Sequence, residues 1–324
     1  MDDPSGWSLT ESDPQVFSEL LRELGVTGLQ VDDLYTLDEG TLATLRPIHA
    51  LIFLFKWVGG GGGDESVGVE IDPLEGGVWF ANQVINNSCA TVAALNAVMN
   101  IPSQPSQHAG ESIDVGPELA NLRDFGAGMG SMDLGHVVAS SDRIREVHNS
   151  FSKTSPFSLD PSLVPEREKE DAYHFVAYLP VNGVLYELDG LRAAPIMHAA
   201  VEGDWLDQAR ETIEARIATY PPGSVMFNLL AIRSAAIPRL QRQIADPATP
   251  AHERLALQDQ LEQETDKAAQ GRVENSLRRH NMLPLVLGLL EALHGSKIKT
   301  EVIDAARTKG KERRDKAKAK KESE

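Results

Sequence analysis

The stretch YHFVAYLPVNGVLYELDGL, residues 173–191, restricts the possible folds more than any other part of the chain. Two apolar runs flank Asn182-Gly183. Asn-Gly favours two successive residues at positive φ, the type I′ turn whose twist matches that of paired strands. A two-residue turn also sets the register, so Val181 opposes Val184 and Asp189 falls opposite Val176. Phe175, Ala177, Leu179, Tyr186 and Leu188 then share one face and read as core. The other face carries His174 and Asp189 as diagonal neighbours, about 7–8 Å apart at the backbone. The pattern predicts a hairpin that buries one face and presents a histidine and a carboxylate on the other. Such a pair is either structural or a carboxylate-oriented base.

Cys89, in QVINNSCATVAAL at residues 83–95, is the single cysteine of the chain. One thiol excludes an intrachain disulfide, so nothing points to secretion. Asn86, Asn87 and Ser88 are capping residue types, and the Ala-rich sequence through Met99 reads as a helix starting at or just before Cys89. That helix is apolar on nearly every side, which predicts a central buried position. A sulfur at a helix start faces unpaired N–H groups and the positive end of the dipole, a setting that favours an anionic nucleophile. Taken alone, a free cysteine is more often a small buried hydrophobe. The nucleophilic reading requires a base and an orienter, and His174 with Asp189 supplies both. Gln83 stands six residues before Cys89. Its side-chain amide and the Cys89 backbone N–H are candidate donors to an oxyanion.

The remaining pattern is mixed helix and strand. Ser12-Asp13-Pro14 reads as a helix start, followed by Phe17, Leu20, Leu21 and Leu24 at helical spacing and a stop at Gly25. IHALIFLFKW at 48–57 reads as a buried strand, 133–151 as one amphipathic helix, 152–171 with its three prolines as a loop, 202–219 as a helix and 225–232 as a strand. The five glycines at 59–63 lack a following Lys-Ser/Thr pair and read as a surface loop rather than a phosphate cradle. After Ile232 the composition changes. Residues 239–281 are polar, interrupted at Pro247 and Pro250, and their sparse Leu255, Leu261 and Val273 predict a solvated helical arm. NMLPLVLGLLEALHG at 281–295 then places Leu283, Leu287 and Leu290 on one helical face, beside Leu285, Leu289 and Leu293. An apolar stripe of that kind fits a partner groove, self-association, or folding back on the rest of the chain.

The net charge is −17, of which a tail from Lys309 onward carries +4, leaving −21 on the remainder. An acidic body disfavours nucleic acid and suits either solubility or a basic protein partner. The basic, mixed-charge tail at 309–324 reads as disordered. No apolar run reaches the roughly 18 residues of a spanning helix, and the first residues lack an apolar signal region, so no membrane role is expected and the cytosol and nucleus are the expected compartments. No C-x-x-C or H-E-x-x-H spacing occurs, so neither metal nor cofactor is expected. His49, His136 and His148 fit a catalytic role less well than His174, His148 for want of an evident carboxylate orienter.

QVINNSC with the downstream HFVAYLPVNGVLYELDGL resembles the ubiquitin C-terminal hydrolases, a family of papain-like thiol proteases. GWSLTESDPQVFSELL, PIHALIFLFKW, EVHNSF and VENSLRRHNMLPLVLGLLEAL resemble the proteasome-associated branch of that family, so the similarity covers nearly the whole chain. The resemblance implies an α+β, papain-like fold with a central, mainly antiparallel sheet flanked by helices, a knotted chain, and a helical C-terminal extension. It implies Cys89 as nucleophile, His174 as general base, Asp189 as its orienter and Gln83 as oxyanion donor, with 152–171 crossing over the site. It divides the chain into a catalytic domain at 1–232, a polar arm at 233–272, a partner-binding helical domain at 273–308 and the tail. The implied partners are ubiquitin as substrate and, through 273–308, a proteasome ubiquitin-receptor subunit and a chromatin-remodelling complex. Ala90-Thr91 stand where many members have glycine after the nucleophile, as suits the branch, and Ala193-Ala194 replace more polar residues. Three functions follow as expectations: a deubiquitinase, an inactive ubiquitin- or proteasome-binding scaffold, and a general papain-like peptidase.

Overall fold

The computed structural model of the protein describes residues 6–56, 68–106, 108, 110–151, 173–220, 227–280 and 283–294. The glycine run at 59–63, the loop at 152–171 and the tail from 309 lie outside the described residues. Seven strands form one sheet: β1 (Leu29–Asp33), β2 (Ile48–Lys56), β3 (Val69–Glu70), β4 (Tyr173–Val181), β5 (Val184–Leu188), β6 (Ile196–Ala200) and β7 (Phe227–Ser234). Their order is β1-β7-β2-β4-β5-β6-β3, with every neighbouring pair antiparallel. The helices are α1 (Pro14–Glu23), α2 (Glu39–Leu45), α3 (Pro73–Gly76), α4 (Cys89–Val98), α5 (Gly116–Phe125), α6 (Ser131–Ser140), α7 (Asp142–Asn149), α8 (Trp205–Ala218), α9 (Ala236–Ala245), α10 (Ala251–Arg279) and α11 (Leu283–His294). The architecture is α+β with a helical C-terminal region, as the sequence led us to expect.

The hairpin forms in the expected register, Val181 opposite Val184 and Ala177 opposite Leu188. Asn182 and Gly183 have φ of 50° and 78°, the left-handed pair that a type I′ turn requires. The expectation of one open face is overturned. Phe175, Ala177, Leu179, Tyr186 and Leu188 pack in one core with Phe17, Leu20, Ala94 and Leu95. Val176, Tyr178 and Leu185 pack in a second core with Phe53, Leu206 and Ile213. β4 is the middle strand and helices cover both faces of the sheet, so its residues are apolar on both sides.

Asp13 caps α1 by accepting from the Gln15 and Val16 amides, with Pro14 in the first turn. The helix read over 133–151 is two helices. Ser141 has extended backbone and its hydroxyl accepts from the Ile144 amide, which ends α6 and caps α7.

The arm is interrupted between α9 and α10, where Pro247 and Pro250 stand. It is not solvated on all sides. Asn275 is buried and donates to the Gln15 carbonyl at 3.0 Å and to Glu19 at 2.9 Å. Gly271 lies against the Gln15 side chain, so closely that a Cβ there would overlap it. Lys267 pairs with buried Asp32, Glu264 with Arg233 at 2.5 Å, and Arg278 with Asp13 at 2.6 Å. α10 thus docks on α1 and the edge strand β1 by polar contacts, which a search for apolar periodicity does not detect. α11 belongs to a separate compact unit, and Leu285, Val286, Leu287, Leu289 and Leu290 on it are each about half-exposed.

Candidate active site

Every residue of α4 is buried, and Cys89 is the first of them, with 8% of its surface exposed. The loop before it is held by one acceptor. The Ile85 carbonyl receives the Ser88 hydroxyl at 2.7 Å and the Gln83 side-chain amide at 3.1 Å. Ser88 occupies the N-cap position, yet its hydroxyl is directed at Ile85 and does not cap the helix, contrary to the capping role its type suggests. The positive end of α4 is therefore not screened by that side chain. Asn87 has φ of 65°, a left-handed conformation that asparagine tolerates, and its amide donates to the Trp7 carbonyl at 3.0 Å.

His174 stands near the start of β4, opposite Phe55 of β2, and is 4% exposed. Its Nε2 is 2.5 Å from Asp189 Oδ1, and the Cys89 side chain is near enough to favour its charged form. With Nε2 directed at the carboxylate, Nδ1 is the nitrogen left for the sulfur. Asp189 follows β5, and the same Oδ1 also accepts from the Leu191 amide at 2.9 Å, while Arg192 Nε stands 4.0 Å from Oδ2. Burial alone would push the imidazole down. The hydrogen bond to Asp189, the nearby Cys89 side chain and the charge of Asp189 outweigh it and push His174 up to about 9. Burial likewise opposes ionisation of Asp189, but His174 and the Leu191 amide hold its carboxyl below the ordinary value. The hairpin register and the helix start therefore bring Cys89, His174 and Asp189 together, with His174 and Asp189 hydrogen-bonded.

Gln83 lies beside that chain. Its backbone amide donates to the Gly190 carbonyl at 2.8 Å, directly after Asp189. Its side-chain nitrogen gives one of its two protons to Ile85, and its Oε1 is buried with no hydrogen-bond partner among the described residues.

Several residues that hold this geometry were not anticipated. Asn82 is buried and donates to the carbonyls of Gly190 at 3.2 Å and Arg192 at 2.5 Å, which ties the corner after Asp189 to the segment leading to Gln83. Asn96 of α4 accepts from the Ala81 amide at 2.8 Å and donates to its carbonyl at 3.1 Å. An apolar helix carrying one asparagine is the only sequence signal of that bond. His148 is not in the site but supports it. Its Nε2 donates to the Ser8 carbonyl at 2.6 Å, so its Nδ1 accepts from the Thr91 hydroxyl at 2.7 Å, two residues past Cys89. Burial pushes His148 below the ordinary imidazole value, consistent with that neutral tautomer. No cluster of His, Cys, Asp and Glu suited to a metal occurs among the described residues.

A nucleophilic sulfur, an imidazole that can hold or release a proton, and a carboxylate that fixes the imidazole can together carry acyl transfer through a thioester. Comparison with known proteins agrees with that chemistry. Residues 7–218 match the family model described as ubiquitin carboxyl-terminal hydrolase, family 1. Residues 255–297 match a second model, described as ubiquitin carboxyl-terminal hydrolases. The chain is 38% identical to the ubiquitin carboxyl-terminal hydrolase ubh-4 of Caenorhabditis elegans, over 90% of this chain and 89% of the relative. It is 36% identical to ubiquitin carboxyl-terminal hydrolase 2 of Schizosaccharomyces pombe, over 89% of this chain and 90% of the relative. The structure superposes on that of Trichinella spiralis UCH37 bound to ubiquitin vinyl methyl ester with a TM-score of 0.65 and 35% identity, covering 82% of this chain and 99% of the other. The chain is therefore a member of the ubiquitin carboxyl-terminal hydrolase family, on its proteasome-associated branch, and a cysteine hydrolase.

Proposed function

We propose that the chain hydrolyses the bond following the C-terminal glycine of ubiquitin, and that Cys89, His174, Asp189 and Gln83 carry the reaction. The observation that carries this reading is the juxtaposition of Cys89, at the N-terminus of α4, with the hydrogen-bonded pair His174–Asp189. The Cys89 thiolate attacks the carbonyl carbon. The oxyanion is met by the Cys89 backbone N–H and by the second proton of Gln83 Nε2. His174 delivers its proton to the departing amine, leaving ubiquitin on sulfur as a thioester. Neutral His174 then takes a proton from water, hydroxide adds to the thioester carbonyl, and the proton returns to the sulfur as the carboxylate leaves. Asp189 keeps its charge throughout and fixes the imidazole. In the solved Trichinella spiralis relative, ubiquitin carries an electrophile at its C-terminus, which supports ubiquitin as substrate here.

The test is turnover of ubiquitin carrying a C-terminal fluorophore. The full chain is expected to release the fluorophore, and a folded chain with no turnover would contradict the reading. Gln83→Ala should lower kcat by about 10²–10³-fold with little change in KM, because the lost bond forms only as charge develops on oxygen.

We further propose that the C-terminal helices bind a regulatory partner, a proteasome ubiquitin-receptor subunit or a chromatin-remodelling complex. The support is the run of half-exposed Leu285, Val286, Leu287, Leu289 and Leu290 on α11, since exposed apolar residues grouped together mark interaction surfaces. Deletion of residues 281–324 is expected to abolish binding to a purified receptor subunit while basal hydrolysis persists. Retention of every partner by the truncated chain would end this part of the reading. The same surface favours the scaffold reading only if Cys89 proves unreactive.

A further inference from the structure

A second cluster of charged side chains lies within the molecule, behind the catalytic strands and unused by the mechanism above. Arg216 of α8 is buried and its Nη1 bonds both Glu187 of β5 and the Tyr178 hydroxyl, the latter at 3.1 Å. Tyr178 donates to Glu187 at 3.1 Å, and His198 of β6 lies 3.1 Å from the same carboxylate. Arg216 Nε and Nη2 are buried with no hydrogen-bond partner among the described residues. A guanidinium with two unpartnered nitrogens is poorly suited to a purely structural ion pair. What it meets instead is a ring. Its Cζ sits 4.4 Å over the centroid of Phe55, a cation–π contact. Phe55 is the β2 residue paired with His174, and the two rings meet edge to face, 5.8 Å apart at 88°. Glu187 stands two residues before Asp189 on the same strand end.

We propose that Arg216 is a positioning residue for the catalytic imidazole, acting on His174 through the Phe55 ring and on Asp189 through its balance with Glu187. This rests on the roles assigned to Cys89, His174 and Asp189 above. The groups facing His174 are Asp189 after β5, Cys89 on α4 and the Phe55 ring on β2. Behind them are Glu187 on β5, Arg216 on α8, Tyr178 on β4 and His198 on β6, and Arg192 Nε stands 4.0 Å from Asp189 Oδ2, a charge common to the parent and every variant below. Besides Arg192, two fixed charges of opposite sign, Glu187 and Arg216, therefore stand close behind the relay. Asp189 feels Glu187 as a like charge and in turn holds the Arg216 cation. Removing one charge exposes the relay to the other.

The test is the pH dependence of ubiquitin–fluorophore hydrolysis by the full chain. Its upper limb reports loss of the imidazolium proton as an apparent value of the coupled site. Arg216→Met leaves Glu187 unbalanced and should move that limb upward. Glu187→Gln leaves Arg216 unbalanced and should move it downward. Arg216→Met should also lower kcat about tenfold or more, with KM within about twofold, since the imidazole loses its support without loss of substrate contacts. Arg216→Lys keeps the charge but not the flat stack, so its limb should stay near the parent's while kcat falls. The neutral pair Glu187→Gln with Arg216→Met removes the cost of an unpaired buried charge and should restore the thermal midpoint but not kcat. That pair also provides a folded reference if Arg216→Met alone does not fold. Limbs unchanged in both single variants, or a kcat that recovers together with the thermal midpoint in the pair, would overturn the proposal and leave Arg216 structural. A folded parent without turnover would overturn the catalytic assignment itself, a distinct outcome.

Discussion

Cys89→Ala is expected to lower kcat/KM for ubiquitin–fluorophore hydrolysis by at least about four orders of magnitude, as removal of a nucleophile from a covalent mechanism does. The fold should survive. Cys89 lies at the first position of α4, where alanine is a good helix former, and the change removes one sulfur atom beside His174. Ubiquitin affinity should persist, because the thiol contributes little to binding before it attacks. A calorimetric titration of Cys89→Ala with ubiquitin, beside a thermal melt, separates the two contributions. Residual activity within tenfold of the parent would place the nucleophile elsewhere, and no second cysteine exists to supply it.

Asp189→Asn is the second large effect, expected to cost about 10²–10⁴-fold in kcat with KM little changed. Asp189 Oδ1 accepts from both His174 Nε2 and the Leu191 amide. Asparagine can keep those two bonds through its oxygen, but it supplies no charge to hold the imidazolium, and its nitrogen favours the wrong tautomer when it faces the ring. The pH dependence follows in sign. Burial alone lowers His174, and Asp189 heads the contacts that raise it to about 9. Without that charge the upper limb of the pH–rate profile should move downward. Stability moves with it. A histidine raised above its unfolded value of 6.5 contributes stability that is complete below that value and lost as pH rises through about 9. In Asp189→Asn this loss should vanish from urea titrations run between those two pH values. An unchanged kcat, or an upper limb that stays in place, would remove Asp189 from the relay.

The relay was legible because each half is specified locally. Asn182-Gly183 sets a register that places Asp189 two residues from the partner of His174, and the polar run before Cys89 marks a helix start. What joins the halves is long-range and could not be read. Nothing in the pattern brings α4 against the end of β4, which requires both faces of the sheet to be covered. The same missing information hid the closed second face behind Val176 and Tyr178, since a hairpin seen alone has no second layer. Polar contacts were the other blind spot. Asn82, Asn96 and the Arg216–Glu187 pair are buried, yet their residue types are ordinarily exposed. The apolar pattern of α10 predicts a solvated helix because its docking uses Asn275, Lys267 and Arg278 rather than leucines. The break at Ser141 is silent in the pattern because its neighbours keep the apolar period on both sides.

The central claim is that the thiol of Cys89, held against His174, attacks the C-terminal carbonyl of ubiquitin. Its most direct test is to treat the full chain with ubiquitin carrying a C-terminal vinyl methyl ester and map the product by mass spectrometry. One adduct per chain, on Cys89, absent from Cys89→Ala and slowed in His174→Ala, is the predicted result. A folded chain that forms no adduct, or one that reacts as fast without His174, would contradict the account.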